Sequence, residues 1–449
     1  MAHVVAGLIS PESLPLRRVA IIGGGYAGIA AAVSLAERGI QSTIFEAGKV
    51  LGGRARRVEY RDELLDNGQH ILSGAYSELL RLMHLVGVGE DAYIRLPLAI
   101  YLPPDFSLVA ARLPAPAHLA WALLTAQGLT LSDRIAAVRL VWHLRARQFL
   151  VGGNVTVAHL MAEFKQPEAV IKFLWSPLTI SALNTPPSTA SGQVFANVIR
   201  DALVANRAAS DMLLPRHDLS TMFPEPAANW LAAHGGIVQL GKRVTAITPD
   251  DGGIRIQTNT DTSLFSAAVI AVGPHQLNSI DMPAAILSAE TFSYEPIATI
   301  YLKFDGPLQL SRPMIGQSSG VVQWFFDRRQ IFANVASHGG LVAAVISASG
   351  PHQQLSGDEL ANAALHELSR HTGKLPSLTW HRVIIEKFAT FACTPDAQAV
   401  RPPVTTKLPG IFIAGDYSQG DYPATLEGAA RSGVNAANAV FAFVTRSIK

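Results

Sequence analysis

The first strongly patterned segment of the chain is an apolar run near its start. Residues 19–36, VAIIGGGYAGIAAAVSLA, contain no charged residue, and a run of this length can span a bilayer as a helix. Three consecutive glycines, Gly23 to Gly25, argue against that, because each interior glycine costs a helix about 1 kcal/mol relative to alanine. The pattern instead predicts a short strand, a sharp glycine turn and a helix.

A second strand completes a strand–helix–strand unit. The alanine-rich helix is predicted to end near Glu37-Arg38-Gly39, where charged residues and a glycine stop it. Residues 42–46, STIFE, then form a predicted strand that ends in an acid. This order of elements is typical of a dinucleotide-binding unit of the Rossmann type.

The spacing Gly23-x-Gly25-x-x-Gly28 supplies the chemistry of such a unit. Gly23 allows the tight turn, Gly25 lets the backbone approach a pyrophosphate, and Gly28 lets the helix pack closely on the strand. The phosphates would lie at the helix N-terminus beside Ala27, where free N–H groups favour negative charge. Glu46 would accept hydrogen bonds from a ribose diol.

Distant segments carry further alternations. Residues 229–258 predict a helix, a short strand and a hairpin around Asp250 to Gly253, and residues 267–272 predict an apolar strand. Residues 410–433 predict a last strand, turn and helix. Strand-like runs at 297–302 and 341–346 indicate a mixed sheet, whereas residues 96–214 are expected to be helical and apolar.

These patterns predict an α/β protein whose Rossmann-type domain is discontinuous in sequence. Residues 1–14 are expected to be a flexible lead-in. The predicted dinucleotide-binding domain comprises residues 15–95, 215–275 and 395–449. The predicted α+β substrate-binding domain comprises an apolar helical insert at 96–214 and a mixed sheet at 276–394.

Composition narrows the function classes. Of the 449 residues, 49% are hydrophobic and 16% are charged, which favours large apolar cores or a channel for a greasy substrate. The net charge of +2 offers no basis for nucleic-acid binding. Cys393 is the only cysteine, so no disulfide within the chain is expected and a reducing, cytoplasmic location is predicted. The histidines show no metal-ligand spacing, and we expect no metal site.

The segment after Glu46 indicates which dinucleotide binds. Gly52-Gly53-Arg54 resembles the extended FAD fingerprint of the amine-oxidase and carotenoid-desaturase superfamily. The glycines would bring the backbone close to the cofactor, and Arg54 would pair with the pyrophosphate through a forked contact. An ordinary Gly-Gly turn with an exposed arginine is the alternative. We expect FAD, held non-covalently.

The same resemblance implies further contacts with FAD. Gly68-Gln69-His70 would pass beside the isoalloxazine ring, and Val244 would touch the adenine through its backbone. Ala414-Gly415-Asp416 is similar to the superfamily's terminal motif, in which Asp416 meets the ribityl or phosphate region. The helix that starts near Ala424 would aim its N-terminus, with Leu426, at the flavin and stabilise the anionic reduced form. Asp416 as a mere turn residue is the alternative.

Several stretches resemble one family within that superfamily, the hydroxysqualene dehydroxylases, which are squalene-associated FAD-dependent desaturases of bacterial hopanoid pathways. The resemblance runs from about residue 17 to the C-terminus. Its motifs are Asp66–His70, Trp175–Leu178, Ala182–Pro186, Ala209–Arg216, Phe223–Ala227 and Gly415-Asp416 with Pro423–Gly428. Tyr417 departs from the family, where a tryptophan is usual, and Asp421-Tyr422 is also unusual.

The resemblance implies that reduced flavin replaces the allylic hydroxyl of hydroxysqualene with hydrogen, yielding squalene. Hydroxide leaves poorly, so a general acid or a strong hydrogen-bond donor should assist it. His70 is one candidate, with hydrogen bonding to flavin or backbone as the alternative. Asp421 and Tyr422 are the others, if Asp421 lies in an apolar pocket that raises its pKa. A solvated loop aspartate is the alternative there.

Two other polar groups are candidate site residues, each with a structural alternative. Asn184 lies in a Leu-Asn-Thr-Pro-Pro turn, which it would cap. Arg216-His217-Asp218 has the pattern of a surface charge cluster.

Alternative functions are a carotenoid or phytoene desaturase-like enzyme, an amine oxidase, or a non-catalytic FAD-binding escort protein. The expected partners are a lipophilic isoprenoid and an electron donor that the sequence does not identify.

One segment raises a question about membranes. Residues 113–132, LPAPAHLAWALLTAQGLTLS, lack charge, but their prolines and glycine make a poor spanning helix. Residues 133–150 mix four arginines with apolar residues, and the arginines share no single helical face. A buried helix is one interpretation. The other is a peripheral patch at the inner face of the cytoplasmic membrane, in contact with anionic lipid.

Overall fold

The computed structural model describes residues 18–152, 154–283, 292–333 and 340–446. The predicted lead-in, residues 1–14, lies outside them. The strands, in chain order, are β1 (Arg18–Ile22), β2 (Gln41–Glu46), β3 (Arg57–Tyr60), β4 (Glu63–Asp66), β5 (Leu72–Ser73), β6 (Tyr93–Leu96), β7 (Ala99–Leu102), β8 (Phe106–Val109), β9 (Met212–Pro215), β10 (Ile237–Leu240), β11 (Val244–Asp250), β12 (Gly253–Thr258), β13 (Thr262–Phe265), β14 (Ala267–Ile270), β15 (Tyr294–Phe304), β16 (Met314–Gly316), β17 (Trp324–Asp327), β18 (Leu341–Ser347), β19 (Leu378–Phe391) and β20 (Ile411–Ile413).

The helices complete the inventory of elements. In chain order they are α1 (Tyr26–Ala36), α2 (Ser77–Leu85), α3 (Ala117–Thr125), α4 (Leu131–Ala146), α5 (Val157–Glu163), α6 (Glu168–Val170), α7 (Ser176–Leu183), α8 (Gly192–Val198), α9 (Leu219–Met222), α10 (Pro224–Ala233), α11 (Pro274–Leu277), α12 (Arg328–Ile331), α13 (Gly357–Thr372), α14 (Pro395–Ala399) and α15 (Leu426–Arg446). Among the described helices, none combines the length and the apolar composition needed to cross a bilayer.

A parallel sheet in the order β10-β2-β1-β14-β20 forms the centre of the cofactor-binding part. Ile21 of β1 pairs with Ile44 on one side and with Val269 on the other. The strand alternates as period 2 demands. Val19 and Ile21 pack with α1, α10 and α15, whereas Ala20 and Ile22 pack against the β11-β12-β13 sheet. Both faces of the parallel sheet are therefore covered, and the predicted α/β, Rossmann-type fold is confirmed.

A second five-stranded sheet, β16-β17-β18-β15-β19, is antiparallel throughout. One face packs on α13 through Ile300 and Leu302. On β15, the hydroxyl of Tyr301 donates to the carbonyl of Asp66 at 2.9 Å. This sheet contains the strand-like runs expected at 297–302 and 341–346, and it contacts the chain just before Gly68.

The region between β8 and β9 is largely helical, with a core built from α3 to α8 and the neighbouring loops. The expectation of a wholly helical insert at 96–214 was wrong at its start. Residues 99–102 and 106–109 form the β7–β8 hairpin. Its side chains alternate between buried and less buried positions, a period-2 signal that favours strands over helices. We keep the domain boundaries given above as a proposal.

Candidate cofactor and substrate site

Two glycines where β1 meets α1, Gly23 and Gly28, could not be replaced by another residue without movement of the backbone. Gly23 has a φ of 109°, and a Cβ there would lie 2.8 Å from the carbonyl oxygen of Ala271. A Cβ at Gly28 would lie 2.0 Å from the carbonyl oxygen of Gly23. These two glycines therefore serve the backbone itself, as the motif predicts.

Gly25 serves a different purpose, because the space beside it is open. Outside its chain neighbours, the nearest described atom to a Cβ at Gly25 is the Cα of Gly53, at 3.9 Å. The two glycine segments are joined by the hydrogen bond from the Gly52 N–H to the Gly24 carbonyl, at 2.8 Å. Helix α1 begins directly after Gly25, and no described side chain caps it. This cradle of backbone and free helix N–H groups fits the phosphates of a dinucleotide.

Glu46 ends β2 beside this cradle. Its Oε2 accepts a hydrogen bond from the Gly24 N–H at 2.8 Å, and its Oε1 accepts one from the Gly48 N–H at 2.6 Å. The backbone thus fixes the carboxylate at the first glycine turn. Each carboxylate oxygen has a further lone pair with which a ribose hydroxyl can bond.

Arg54 connects the second glycine pair to the C-terminal part of the chain. Its Nη2 lies 2.7 Å from Oδ2 of Asp416, and its Nη1 donates to the carbonyl of Ala389 at 2.8 Å. Burial alone would lower the pKa of Arg54, but the Asp416 carboxylate raises this pKa above its usual value. The predicted GGR and Ala-Gly-Asp motifs therefore meet, and Arg54 already has an anionic partner in the chain.

His70 lies in the segment that follows β4. Its Nδ1 is 2.7 Å from the carbonyl oxygen of Gly68, so Nδ1 carries a proton and donates it to that carbonyl. Burial lowers the pKa of His70, the bond to Gly68 raises it, and the positive charge of Arg54 lowers it, with a net decrease. The ring is held neutral more readily than a solvent-exposed histidine, and in that form Nε2 carries no proton.

A buried polar network supports this segment from the other side. The guanidinium of Arg328, which is fully buried, donates to Oε1 of Gln69 at 3.1 Å and lies 3.8 Å from Asp66. The Gln69 N–H donates to Oγ1 of Thr299 at 3.3 Å. Burial raises the pKa of Asp66 to about 7 against the lowering effect of Arg328. Sequence reasoning missed Arg328, because nothing in its local sequence marks it as buried.

The C-terminal motif is anchored by hydrogen bonds within its own loop and helix. The Gly415 N–H donates to Oγ of Ser432 at 2.8 Å, and Leu426 is the first residue of α15. At the crossing of α1 and α15, a Cβ at Gly433 would lie 2.2 Å from the carbonyl oxygen of Ala27. Val244, predicted to contact adenine, is buried at the start of β11.

Two residues that support this region were not predicted. Arg401 donates to the carbonyls of Ser418 at 2.7 Å, Tyr422 at 2.7 Å and Asp416 at 3.0 Å, so it clamps the loop that precedes α15. Glu427 is fully buried and accepts the Leu79 N–H at 2.9 Å at the start of α2. Arg401 belongs to none of the motifs, and Glu427 lies within Pro423–Gly428 without a predicted role, so only the tertiary structure reveals the partners of both.

The expectation that Asp421 lies in an apolar pocket was wrong. Its side chain is 70% exposed, and one carboxylate oxygen lies 3.4 Å from Nη2 of Arg200. The side chain is therefore that of the solvated loop aspartate considered as the alternative. Tyr422 is half-buried, and the guanidinium of Arg431 stacks 4.3 Å from its ring centre and donates to its hydroxyl at 3.2 Å. Burial raises the pKa of the Tyr422 hydroxyl above its usual value.

The other polar candidates have structural partners. Asn184 adopts a φ of 46° at the end of α7, accepts the Ala348 N–H at 2.7 Å and donates to Thr390 at 2.9 Å. Asp218 caps α9 and lies 3.4 Å from Arg57. Asn184 therefore has structural partners, although they are distant in sequence rather than in its own turn. The expectation of a surface charge cluster was wrong for Asp218, because that residue is buried as a helix cap.

Comparison with known proteins agrees with this geometry. The family model "Flavin containing amine oxidoreductase" matches residues 26–441. A hydroxysqualene dehydroxylase of Rhodopseudomonas palustris is 27% identical, with 95% of this chain and 99% of the relative covered. A probable zeta-carotene desaturase of Synechococcus elongatus is 23% identical, covering 94% of this chain and 98% of the relative. The crystal structure of a putative protoporphyrinogen oxidase from Exiguobacterium sp. 255-15 superposes with a TM-score of 0.67 at 19% identity, over 94% of this chain and 98% of that one.

Proposed function

Because the chain belongs to the family of flavin-containing amine oxidoreductases, it is a flavin-dependent oxidoreductase, and we propose that it reduces hydroxysqualene to squalene with FAD as its cofactor. The observation that carries the proposal is the end-to-end similarity to a hydroxysqualene dehydroxylase, which covers almost the whole of both chains. The proposed pathway is squalene and hopanoid biosynthesis, and the proposed substrate is a lipophilic isoprenoid.

The choice of FAD is supported by the residues around the glycine cradle. Gly23, Gly25, Ala27 and Gly28 would receive the pyrophosphate, and Glu46 would bind the adenosine ribose. Gly53, Gly68, Gln69, Val244, Gly415, Asp416 and Leu426 would complete the FAD site. Arg54 would reach the pyrophosphate from its position against Asp416.

Non-covalent attachment is supported by the state of the only cysteine. Cys393 is fully buried, and burial raises the pKa of its thiol to about 12, so the thiolate that a thioether link requires is disfavoured. Acid precipitation should therefore release the flavin into the supernatant. A flavin that stays with the precipitated chain would refute non-covalent binding.

The proposed reaction replaces a C–O bond by a C–H bond. A reduced flavin supplies the hydride equivalent for the new C–H bond, and the departing hydroxyl takes up one proton and leaves as water. The apolar interior of the protein would exclude bulk water from the allylic cation that develops as the hydroxyl departs. What the chain must add is a group that orients the hydroxyl and assists its departure.

His70 is proposed to orient this hydroxyl rather than to protonate it. With the Nδ1 proton committed to the Gly68 carbonyl, neutral His70 offers Nε2 only as an acceptor. Its lowered pKa disfavours the imidazolium that would be needed for proton donation. Tyr422, whose hydroxyl stays protonated at neutral pH, is proposed as the hydrogen-bond donor. The exposure of Asp421 removes the basis for its acid role.

The test is an anaerobic single turnover. Photochemically reduced protein is mixed with hydroxysqualene in detergent, flavin reoxidation is followed by absorbance, and the products are analysed by mass spectrometry. The expected result is squalene formed in proportion to the flavin reoxidised. Reduced protein that is not reoxidised, and that yields no squalene, would overturn the proposal.

A second candidate function follows from the similarity to a carotenoid desaturase. Such an enzyme works in the opposite direction, since oxidised flavin accepts electrons from a polyene. Bleaching of the oxidised flavin by phytoene or zeta-carotene, with no reaction of the reduced protein with hydroxysqualene, would favour it. For the proposed reduction of hydroxysqualene, the electron donor that reduces the flavin would be a separate partner. The protein is proposed to be cytoplasmic, with peripheral contact at the inner membrane face.

A further inference from the structure

Helix α4 has two apolar faces, and only one of them is covered. Ala136, Ala137, Leu140 and Leu144 are buried in the helical core. On the opposite side, four large apolar residues recur at intervals of four, three and four positions, which places them on one face of a helix. They are Leu131, Ile135, Val138 and Trp142, exposed by 67%, 58%, 52% and 63% respectively.

Helix α3 extends this surface. Trp121 and Leu124, three positions apart on α3, are 49% and 61% exposed. The end of α3 is fixed to the start of α4 because the guanidinium of Arg134 donates to the carbonyls of Leu124 at 2.6 Å and Ala126 at 2.8 Å. We call the six exposed residues of the two helices the α3–α4 face.

Such a surface is unusual for a protein that meets only water. A surface helix normally turns polar residues outward, and contiguous apolar patches usually mark an interaction site. The buried-helix interpretation of residues 113–150 therefore holds for one side of α4 only, and the membrane interpretation stays a proposal. One side of α4 belongs to the core, and the other side is exposed with an apolar surface that needs a partner.

The charges around the face indicate which partner. Residues 112–150 contain five arginines and no lysine, and their only acid is Asp133. The Asp133 carboxylate is occupied in the capping box of α4, where it accepts the Thr130 N–H at 2.9 Å. The segment is thus strongly positive. Exposed arginines include Arg112, Arg139 and Arg145. A symmetric contact with a second copy would bring like charges together, whereas an anionic lipid surface complements them.

We propose that the α3–α4 face docks the protein on the surface of a bilayer that contains anionic lipid. The apolar side chains would enter the boundary between head groups and acyl chains, with Trp121 and Trp142 at head-group depth, where indoles are favoured. The arginines would lie against the phosphates. The docking itself rests on these side chains, and only its use, the uptake of an isoprenoid from the bilayer, rests on the proposed function.

The first experiment measures binding of the flavin-loaded protein to vesicles by co-sedimentation. Vesicles of phosphatidylcholine with phosphatidylglycerol are compared with vesicles of phosphatidylcholine alone, at low and at high salt. We expect binding to the anionic vesicles at low salt that weakens roughly tenfold or more at high salt, because the attraction of exposed arginines is screened. A wild-type protein that does not sediment with anionic vesicles at low salt would overturn the proposal.

Variants locate the surface. Trp121→Ser with Trp142→Ser, and separately Leu131→Ser with Val138→Ser, should each reduce vesicle binding by about tenfold or more, because apolar area no longer enters the bilayer. The matched control is Leu264→Ser with Ile385→Ser, two residues of similar exposure outside the α3–α4 face. Flavin content and the thermal midpoint check that each variant is folded. Equal losses in the control and the face variants would refute the assignment.

Two further readouts separate docking from its alternatives. Light scattering gives the oligomeric state, and a dimer that the face variants convert to monomer would replace the bilayer by a second copy as the partner. Turnover is measured with hydroxysqualene in detergent and in vesicles. If the face variants lose turnover in vesicles but keep it in detergent, docking is supported as a delivery step. If the wild type turns over neither in detergent nor in vesicles, with vesicle binding intact, the proposed function is refuted and the docking surface stands.

Discussion

The guanidinium of Arg54 lies 2.7 Å from the carboxylate of Asp416, although 362 residues separate them in the chain. The ion pair joins the loop after the second glycine pair to the loop after β20. The first loop borders the cradle beside Gly25, since the Gly52 N–H donates to the Gly24 carbonyl, and the ion pair fixes the second loop relative to it. Arg54 therefore has a positioning role as well as its proposed contact with the pyrophosphate.

Replacing Arg54 by Ala should weaken flavin binding by roughly ten- to a hundredfold, since a charge-assisted hydrogen bond contributes about 1.5–3 kcal/mol. The change also leaves Asp416, whose side chain is only 9% exposed, without its cation. Fluorescence titration of the apoprotein with FAD measures the effect. Arg54→Lys keeps the charge but lacks the planar fork that reaches both Asp416 and Ala389. Its affinity for FAD should therefore lie between those of the wild type and Arg54→Ala. Unchanged affinity in Arg54→Ala would remove Arg54 from the site.

Glu46 offers a second test of the cofactor site. Glu46→Ala removes the acceptor of the Gly24 and Gly48 N–H groups together with the proposed ribose contact, and we expect a ten- to hundredfold loss of FAD affinity, or about 1.5–3 kcal/mol. Glu46→Gln keeps one acceptor oxygen and should lose less. Retention of stoichiometric FAD by Glu46→Ala after extensive dialysis at nanomolar protein would show that the ribose lies elsewhere.

The glycine turn, the parallel sheet and the GGR segment could be predicted because local rules fix them. Gly23 and Gly28 are required by backbone contacts within about six residues of chain and one neighbouring strand. The unbroken apolar run from Val19 to Ile22 likewise fits a strand that is buried on both faces. Such features depend on residues that are close together in the sequence, so they can be recognised from one sequence alone.

The supports of the site could not be predicted, because their partners are distant in sequence. Arg401 acts through carbonyls of the 416–422 loop, and Arg328 acts through Gln69, 259 positions away. Asp421 was misjudged for a related reason. Its neighbours in sequence are those of a flavin-facing loop, but its side chain turns outward to Arg200. Side-chain direction in a loop is set by packing that the sequence pattern does not report.

The role of His70 predicts a pH dependence with a definite sign. If neutral His70 orients the hydroxyl, the rate of flavin reoxidation by hydroxysqualene should rise with pH through the pKa of His70 and then level off. Because that pKa is lowered, the midpoint of the rise should lie below the usual value of about 6.5. Stopped-flow measurement of the rate from pH 5 upward tests this. His70→Asn should be slower and should lack this step, and a rate that falls as pH rises would instead support His70 as the acid.

The stability of the protein should change with the same titration. A histidine whose folded pKa is lowered binds fewer protons in the folded state, so its contribution is present above about pH 6.5 and is lost as pH falls through the folded pKa. The free energy of unfolding of the wild type should therefore fall more steeply toward pH 5 than that of His70→Asn. Parallel curves for the two proteins would mean that His70 is not buried enough to disfavour its proton.

Gly25 and Gly28 lie three positions apart, yet alanine should affect them in opposite ways. A Cβ at Gly28 would meet the Gly23 carbonyl at 2.0 Å, a distance that forces α1 away from β1, so Gly28→Ala should lower the thermal midpoint of the apoprotein or prevent folding. A Cβ at Gly25 would meet no described atom outside the chain neighbours closer than 3.9 Å, so Gly25→Ala apoprotein should melt close to the wild type. The same methyl group would occupy the open cradle, and FAD affinity should fall by at least tenfold, about 1.4 kcal/mol. Thermal melting with and without FAD distinguishes the two. If Gly25→Ala binds FAD as the wild type does, the phosphates do not occupy the cradle between Gly25 and Gly53.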